Sequence, residues 1–158
     1  MVRAIYSTAG VLEGGQTLAL ADDPLLRSGI VVAGANKAWG KTRMNAETED
    51  GIVTAYEIAQ LNLSNTQLVV LSACETALGD VQGTEGVFGL QRAFKIAGVK
   101  NLVVSLWQVP DKETAELMKL FYTNLLNKEP VRNAFNHAQK TMRSKYPPYF
   151  WAAFVLIE

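Results

Sequence analysis

The sequence is short of the residues that build metal sites and disulfides. Among its 158 residues it has one cysteine, Cys74, and one histidine, His137. A structural zinc site needs four ligands and a disulfide needs two cysteines, so we expect neither within this chain, and no cofactor. A single free thiol fits a reducing compartment, and we therefore expect a cytoplasmic protein.

The sequence also lacks an excess of charge of either sign. Its 15 Lys and Arg residues balance 15 Asp and Glu residues, and the two signs are interspersed. A nucleic-acid binder would carry a basic stripe, so no nucleic-acid partner is expected. No apolar run approaches the roughly 18–20 residues of a membrane span, and the amino terminus lacks a signal-peptide pattern, so no membrane partner is expected.

The chain has the length and composition of one globular domain, residues 1–158, with 49% hydrophobic residues. Two runs without alternation, Gln67–Ala73 and Asn101–Trp107, indicate buried strands. Helices are predicted between and after them, and the order of elements predicts an α/β fold with a mainly parallel sheet. The remaining predictions are a loop over Gly34–Gly51, a helix over Val53–Leu61 and a last strand over Phe150–Ile157.

Two chemically active residues follow the predicted buried strands. Cys74 comes after the first and Asp111 after the second. Sites in parallel sheets form beyond the carboxyl ends of the strands, because the loops converge there. A thiol attacks as a thiolate and needs a nearby base, whereas a free cysteine is also among the most buried residue types. From these residues alone, Cys74 is either a nucleophile or a packed core residue.

The stretch LSACETALGDVQGTEGVFGLQRAFKIAGVKNLVVSLWQVPD, Leu71–Asp111, resembles the signature region of the CHAT domain. This is a caspase-like family that is often fused to tetratricopeptide repeats. The resemblance continues through Phe121–Leu126 and Pro147–Glu158 and covers almost the whole chain. It implies a three-layer α/β/α fold related to caspases, gingipains and separase. It also implies a Cys–His dyad that cleaves a peptide or protein substrate, with repeats in a parent protein or a partner.

The resemblance makes Cys74 the nucleophile but leaves it without its base. The family's histidine stands in a Thr-His-Gly triplet, and the matching triplet here is Thr8-Ala9-Gly10. The resemblance further implies that the Gly10 N–H and the Cys74 N–H form the oxyanion hole. His137 lies after the cysteine in a predicted helix, where we expect a surface or cap histidine. We therefore expect the chain to be inactive as written, whether Ala9 is natural or was introduced to inactivate it.

Three further residues are expected to contact substrate. Asp111 matches a position that in separase receives an arginine side chain, which a carboxylate binds in a bidentate geometry. The alternative is that Pro110-Asp111 forms the N-cap of a helix. Trp107 lines the same pocket or belongs to the core. Glu75 orders the loop beside the thiol or holds substrate.

The resemblance also implies that the family domain has further strands before the one that carries the histidine. The chain therefore resembles the carboxyl-terminal two-thirds of a domain, with Arg3–Thr8 left at an exposed sheet edge through which it could associate. Three functions are open: a cysteine endopeptidase domain, a pseudopeptidase module that binds a peptide or partner, and a hydrolytic or acyl-transfer enzyme with a different base.

Overall fold

The computed structural model describes residues 3–6, 24–32, 51–72 and 84–158. They belong to two compact units. The first contains the described residues up to 66 together with 84–99, and the second contains 67–72 and 100–158. That the whole chain forms one domain stays a prediction.

The described residues of the first unit form three strands and three helices. They are β1 (Arg3–Tyr6), α1 (Pro24–Arg27), β2 (Ser28–Val31), β3 (Ile52–Thr54), α2 (Ala55–Ala59) and α3 (Thr84–Ile96). The strands form an antiparallel sheet in the order β1-β2-β3. Helix α2 packs against α3 and buries Ile58, while α3 buries Leu90 and Phe94.

The helix predicted over Val53–Leu61 is shorter in the structure because a strand precedes it. The β-branched residues of β3 pair with β2, which keeps the backbone extended up to Thr54. Thr54 then begins α2 with a capping box. The Glu57 N–H donates to the Thr54 hydroxyl oxygen (3.2 Å), and the Thr54 N–H donates to Glu57 Oε2 (2.7 Å).

The second unit contains the two predicted buried strands. Its elements are β4 (Leu68–Leu71), β5 (Asn101–Ser105), α4 (Asp111–Leu126), α5 (Val131–Arg143), α6 (Pro148–Trp151) and β6 (Phe154–Ile157). Strands β4 and β5 are parallel, with Leu71 opposite Val104. Strand β6 pairs with the other side of β5 and runs antiparallel to it. The predicted α/β class is confirmed, and among the described strands β4–β5 is the parallel pair while the other three pairs are antiparallel.

The direction of β6 follows from the two long helices that precede it. A single crossover helix would return the chain to the start of β5, and the next strand would run parallel to it. The two helices α4 and α5 instead bring the chain back to the end of β5, so β6 runs antiparallel. Phe154 accordingly lies opposite Ser105. The predicted strand Phe150–Ile157 is shortened because Pro147 and Pro148 set up the helical turn α6 before it.

The core of the second unit lies between its sheet and the helices α4 and α5. Phe121 on α4 meets Phe135 on α5 edge to face, with ring centroids 5.5 Å apart. Ala134 and Ala138 on α5 are fully buried in the same cluster, which also contains Val103 from β5. The site residues that follow β5 therefore start from a strand that is held by packing.

Candidate functional site

The carboxyl ends of β4 and β5 lie side by side, as the sequence predicted. Both strands are parallel, and β4 ends at Leu71 opposite Val104, next to the end of β5 at Ser105. In the sequence, Cys74 and Glu75 follow β4, while Trp107 and Asp111 follow β5. This edge of the sheet is where the candidate site begins.

Four of the predicted site residues lie outside the described part of the chain. They are Ala9, Gly10, Cys74 and Glu75. The predicted loop Gly34–Gly51 also lies outside it, apart from Gly51 itself. The roles of these residues stay predictions, and the geometry of the site is described from Trp107, Asp111 and their neighbours.

The loop between β5 and α4, residues 106–110, is anchored along its length. The Leu106 N–H donates to the Ala153 carbonyl (2.7 Å), which extends the pairing with β6 by one residue. The Val109 side chain is buried in the core beneath the sheet. Pro110 has the extended conformation (φ −54°, ψ 143°) that begins α4, and its carbonyl accepts from the Thr114 N–H.

Trp107 is held by Tyr149, which belongs to α6. The Trp107 indole N–H donates to the Tyr149 carbonyl (2.9 Å), and the two rings stack with centroids 6.4 Å apart. The Tyr149 hydroxyl in turn donates to the Gln108 carbonyl (2.7 Å). Trp107 is half-buried and packs against the core cluster. The two predicted interpretations of Trp107 are therefore compatible, because one part of the ring faces the core and another is exposed.

Asp111 is the first residue of α4 and its side chain is exposed. The alternative interpretation, in which Pro110-Asp111 begins a helix, agrees with the structure: Pro110 occupies the N-cap position and Asp111 the first helical position, without a side-chain cap hydrogen bond. With Glu113, Asp111 places negative charge in the first helical turn, which the helix dipole favours.

His137 lies on the surface of α5, in agreement with the expectation for this residue. Its side chain is 60% exposed, and its Nδ1 lies 2.8 Å from Glu129 Oε2. Glu129 belongs to the connection between α4 and α5. The contact therefore links the α4–α5 connection to the exposed face of α5.

A polar cluster that sequence reasoning missed joins α4 to the segment after α5. Lys145 Nζ donates to Glu116 Oε1 (2.7 Å), and the Tyr146 hydroxyl donates to Glu116 Oε2 (2.8 Å). The hydrogen bond from Lys145 and then that from Tyr146 lower the pKa of Glu116. The same carboxylate raises the pKa of Tyr146.

A shallow groove of about 410 Å³ lies between α5 and β6. Of the predicted site residues that the structure describes, neither Trp107 nor Asp111 lines it; its lining includes Arg132, Phe135, Gln139, Trp151 and Leu156. Arg132 and Glu158 form an ion pair at its rim. Across the four described ranges, no group of three or more His, Cys, Asp or Glu side chains could hold a metal ion.

Sequence reasoning also missed Tyr149, although PPYFWAAF was part of the resemblance. Its contacts with Trp107 and Gln108 span 42 and 41 positions of the sequence. The available signal was the density of aromatic residues in Tyr146–Trp151, where the ring of Phe150 contacts the rings of both Tyr146 and Tyr149.

Comparison with known proteins identifies the family. The family model described as "CHAT domain" matches residues 6–158. The chain therefore belongs to the CHAT domain family. The match includes Ala9, Cys74 and Asp111.

Relatives include tetratricopeptide repeat protein 28 of Mus musculus, 36% identical over 109 residues. The protein of the same name from Homo sapiens is 35% identical over 109 residues. Each alignment covers 67% of this chain and 4% of the relative. The chain thus spans a small part of the length of these curated relatives. Within the described residues, no helix is long and apolar enough to cross a membrane.

Proposed function

We propose that the chain is a caspase-like cysteine endopeptidase domain whose nucleophile is Cys74 and which is inactive as written because Ala9 stands at the position of the base. The family match over residues 6–158 carries this proposal, since it includes both positions. The parallel pair β4–β5 supports it, because Cys74 and Asp111 follow those strands in the sequence. The single thiol supports a cytoplasmic location.

The proposed reaction needs a base that accepts the proton of the Cys74 thiol and later donates it to the leaving amine. The Cys74 thiolate attacks the scissile carbonyl carbon while an imidazole holds the thiol proton, and that proton then passes to the leaving amine. The backbone N–H groups of Gly10 and Cys74 stabilise the oxyanion of the tetrahedral intermediate. Water then releases the acyl group from sulfur. Alanine at position 9 removes the proton carrier but not the backbone donors.

The side chains that follow β5 are suited to binding a basic side chain of the substrate. Asp111 is exposed at the beginning of α4, so its carboxylate is open to a guanidinium or ammonium group. A bidentate pair with arginine would be stronger than a single contact with lysine. Trp107 offers a partly exposed aromatic surface against which the aliphatic part of such a side chain could pack.

Ala9 itself favours a second candidate, a pseudopeptidase that binds a peptide or partner protein without cleaving it. Strand β1 is at an edge of its three-stranded sheet among the described strands, which supports association through that edge. The relatives named as tetratricopeptide repeat proteins suggest such repeats in a parent protein or partner.

Restoring the base distinguishes these candidates. Ala9→His should produce cleavage of arginine-containing peptides, with a gain of roughly 10²–10⁴-fold over the unchanged chain. The matched control is Ala9→His combined with Cys74→Ala, which should abolish cleavage. A folded Ala9→His protein that cleaves no member of a peptide library but still binds peptides would favour the pseudopeptidase.

Asp111 has its own arm in the same assay. In the Ala9→His background, Asp111→Asn keeps the size of the side chain and removes its charge. Preference for arginine or lysine before the cleaved bond should then disappear. An unchanged preference would overturn the role proposed for Asp111.

A further inference from the structure

The loop 106–110 is fixed at some residues by the sheet and the core, and at others by contacts with Tyr149. The sheet fixes Leu106 through its bond to Ala153, and the core fixes Val109 through burial. Trp107 and Gln108 lie between these fixed points. Both are held by Tyr149, through the bond from the Trp107 indole N–H to its carbonyl and the bond from its hydroxyl to the Gln108 carbonyl.

The Tyr149 side chain does not belong to the buried core. Its side chain is 53% exposed, although its ring stacks on Trp107 and meets Phe150 edge to face at 5.4 Å. An exposed hydroxyl that lost its protein acceptor could bond to water instead, so this bond contributes little to global stability. Its effect is local, because it fixes the direction of one loop carbonyl and the ring that stacks on Trp107.

From this geometry we propose that Tyr149 is a positioning residue that holds the loop 106–110 so that Trp107 and Asp111 present one surface to a basic side chain of the ligand. The inference rests on the proposed function of that surface and adds a residue that does not itself contact the ligand's charge. Without the hydroxyl, the Gln108 carbonyl loses its bond to Tyr149, and of the two hydrogen bonds between Tyr149 and the loop only the one from the Trp107 indole N–H remains. That bond then opens more often, and the loop that leads to Asp111 is less firmly held.

The first measurement needs no ligand. Hydrogen exchange of the Trp107 indole N–H, identified with Trp107→Phe, and of the backbone N–H groups of residues 106–109 should be at least threefold faster in Tyr149→Phe. The rest of the second unit should exchange as before. Two controls match it: Tyr122→Phe removes another exposed tyrosine hydroxyl, and Gln108→Ala keeps the carbonyl that Tyr149 binds. Both should leave exchange in the loop unchanged.

The second measurement uses two peptide aldehydes that end in arginine or in norleucine. Calorimetry should give the unchanged chain a higher affinity for the arginine peptide, and Tyr149→Phe should reduce the ratio of the two affinities fivefold or more. Thermal unfolding should be nearly unaffected. A global loss of stability without a change in the ratio would indicate a structural role only and overturn the inference.

The two measurements separate the possible failures. Unchanged exchange in Tyr149→Phe overturns the positioning role even if the arginine peptide is preferred. Faster exchange with no preference for arginine in the unchanged chain overturns the proposed substrate class, and the positioning of a ligand surface with it. Faster exchange with a lost preference supports both.

Discussion

The hydroxyl of Tyr146 donates a 2.8 Å hydrogen bond to Glu116 and joins the segment after α5 to the middle of α4. Lys145 Nζ reaches the other oxygen of the same carboxylate at 2.7 Å. One ionised side chain thus satisfies two neighbours that are consecutive in the sequence. The cluster links α4, which begins at Asp111, to the segment that leads into α6 and Tyr149.

The Glu116 cluster predicts a pH dependence of stability on the acid side. Its hydrogen bonds lower the pKa of Glu116 in the folded state. The resulting stabilisation is present above the pKa of the unfolded chain and is lost as the pH falls through the lower, folded value. Glu116→Gln should therefore lower the free energy of unfolding at neutral pH and make it fall less steeply as acid is added. Urea unfolding at a series of pH values measures both effects.

Tyr146→Phe provides the matched control for that series. It removes one of the two bonds and leaves Lys145, so we expect an intermediate acid dependence. The pKa of Tyr146 is raised, so its own contribution is present below about pH 10 and is lost as the pH rises through the folded value. If the free energy of unfolding falls equally with acid in the unchanged chain and in Glu116→Gln, the ionisation of Glu116 is not the cause of the acid dependence.

Lys128 predicts a stabilising substitution. It follows the end of α4 with φ 64°, where its N–H donates to the Leu125 carbonyl and the next N–H, of Glu129, donates to that of Asn124. This helix-ending motif favours glycine, because a side chain costs about 1–2 kcal/mol in the left-handed region. Lys128→Gly should raise the free energy of unfolding by about 1 kcal/mol, measured by urea unfolding. Lys128→Ala keeps the cost and should give no such gain.

Gly98 predicts the reverse effect in the same motif at the end of α3. It has φ 97°, and a Cβ at this position would lie 3.0 Å from the Ser64 Cα. Both the backbone conformation and a backbone neighbour that cannot move aside oppose a side chain. Gly98→Ala should cost at least about 1–2 kcal/mol of stability. A loss no larger than that of Lys128→Ala would show that the backbone adapts.

The sequence predicted the elements whose patterns are local and failed where tertiary pairing decides. The runs at β4 and β5 and the helical spacing of α4 and α5 were sufficient for those elements. Val53 and Thr54 were predicted to be helical but belong to a strand that pairs with β2. Phe150 and Trp151 were predicted to be in a strand but belong to a helical turn set by two prolines. The partnership of Trp107 and Tyr149 required knowledge of the fold, because nothing local connects residues 42 positions apart.

His137 offers a test of the assigned base. It is 60% exposed on α5 and its Nδ1 lies 2.8 Å from Glu129 Oε2, so we expect it to have no role in the proposed reaction. In the Ala9→His background, His137→Gln should leave kcat/KM for an arginine-containing peptide within about twofold, because glutamine can still bond to Glu129 without carrying a proton. Ala9→Gln serves as the control that lacks a base at position 9. A large loss on removing His137, with activity retained in Ala9→Gln, would move the general base from position 9 to α5 and would overturn the dyad proposed for Cys74.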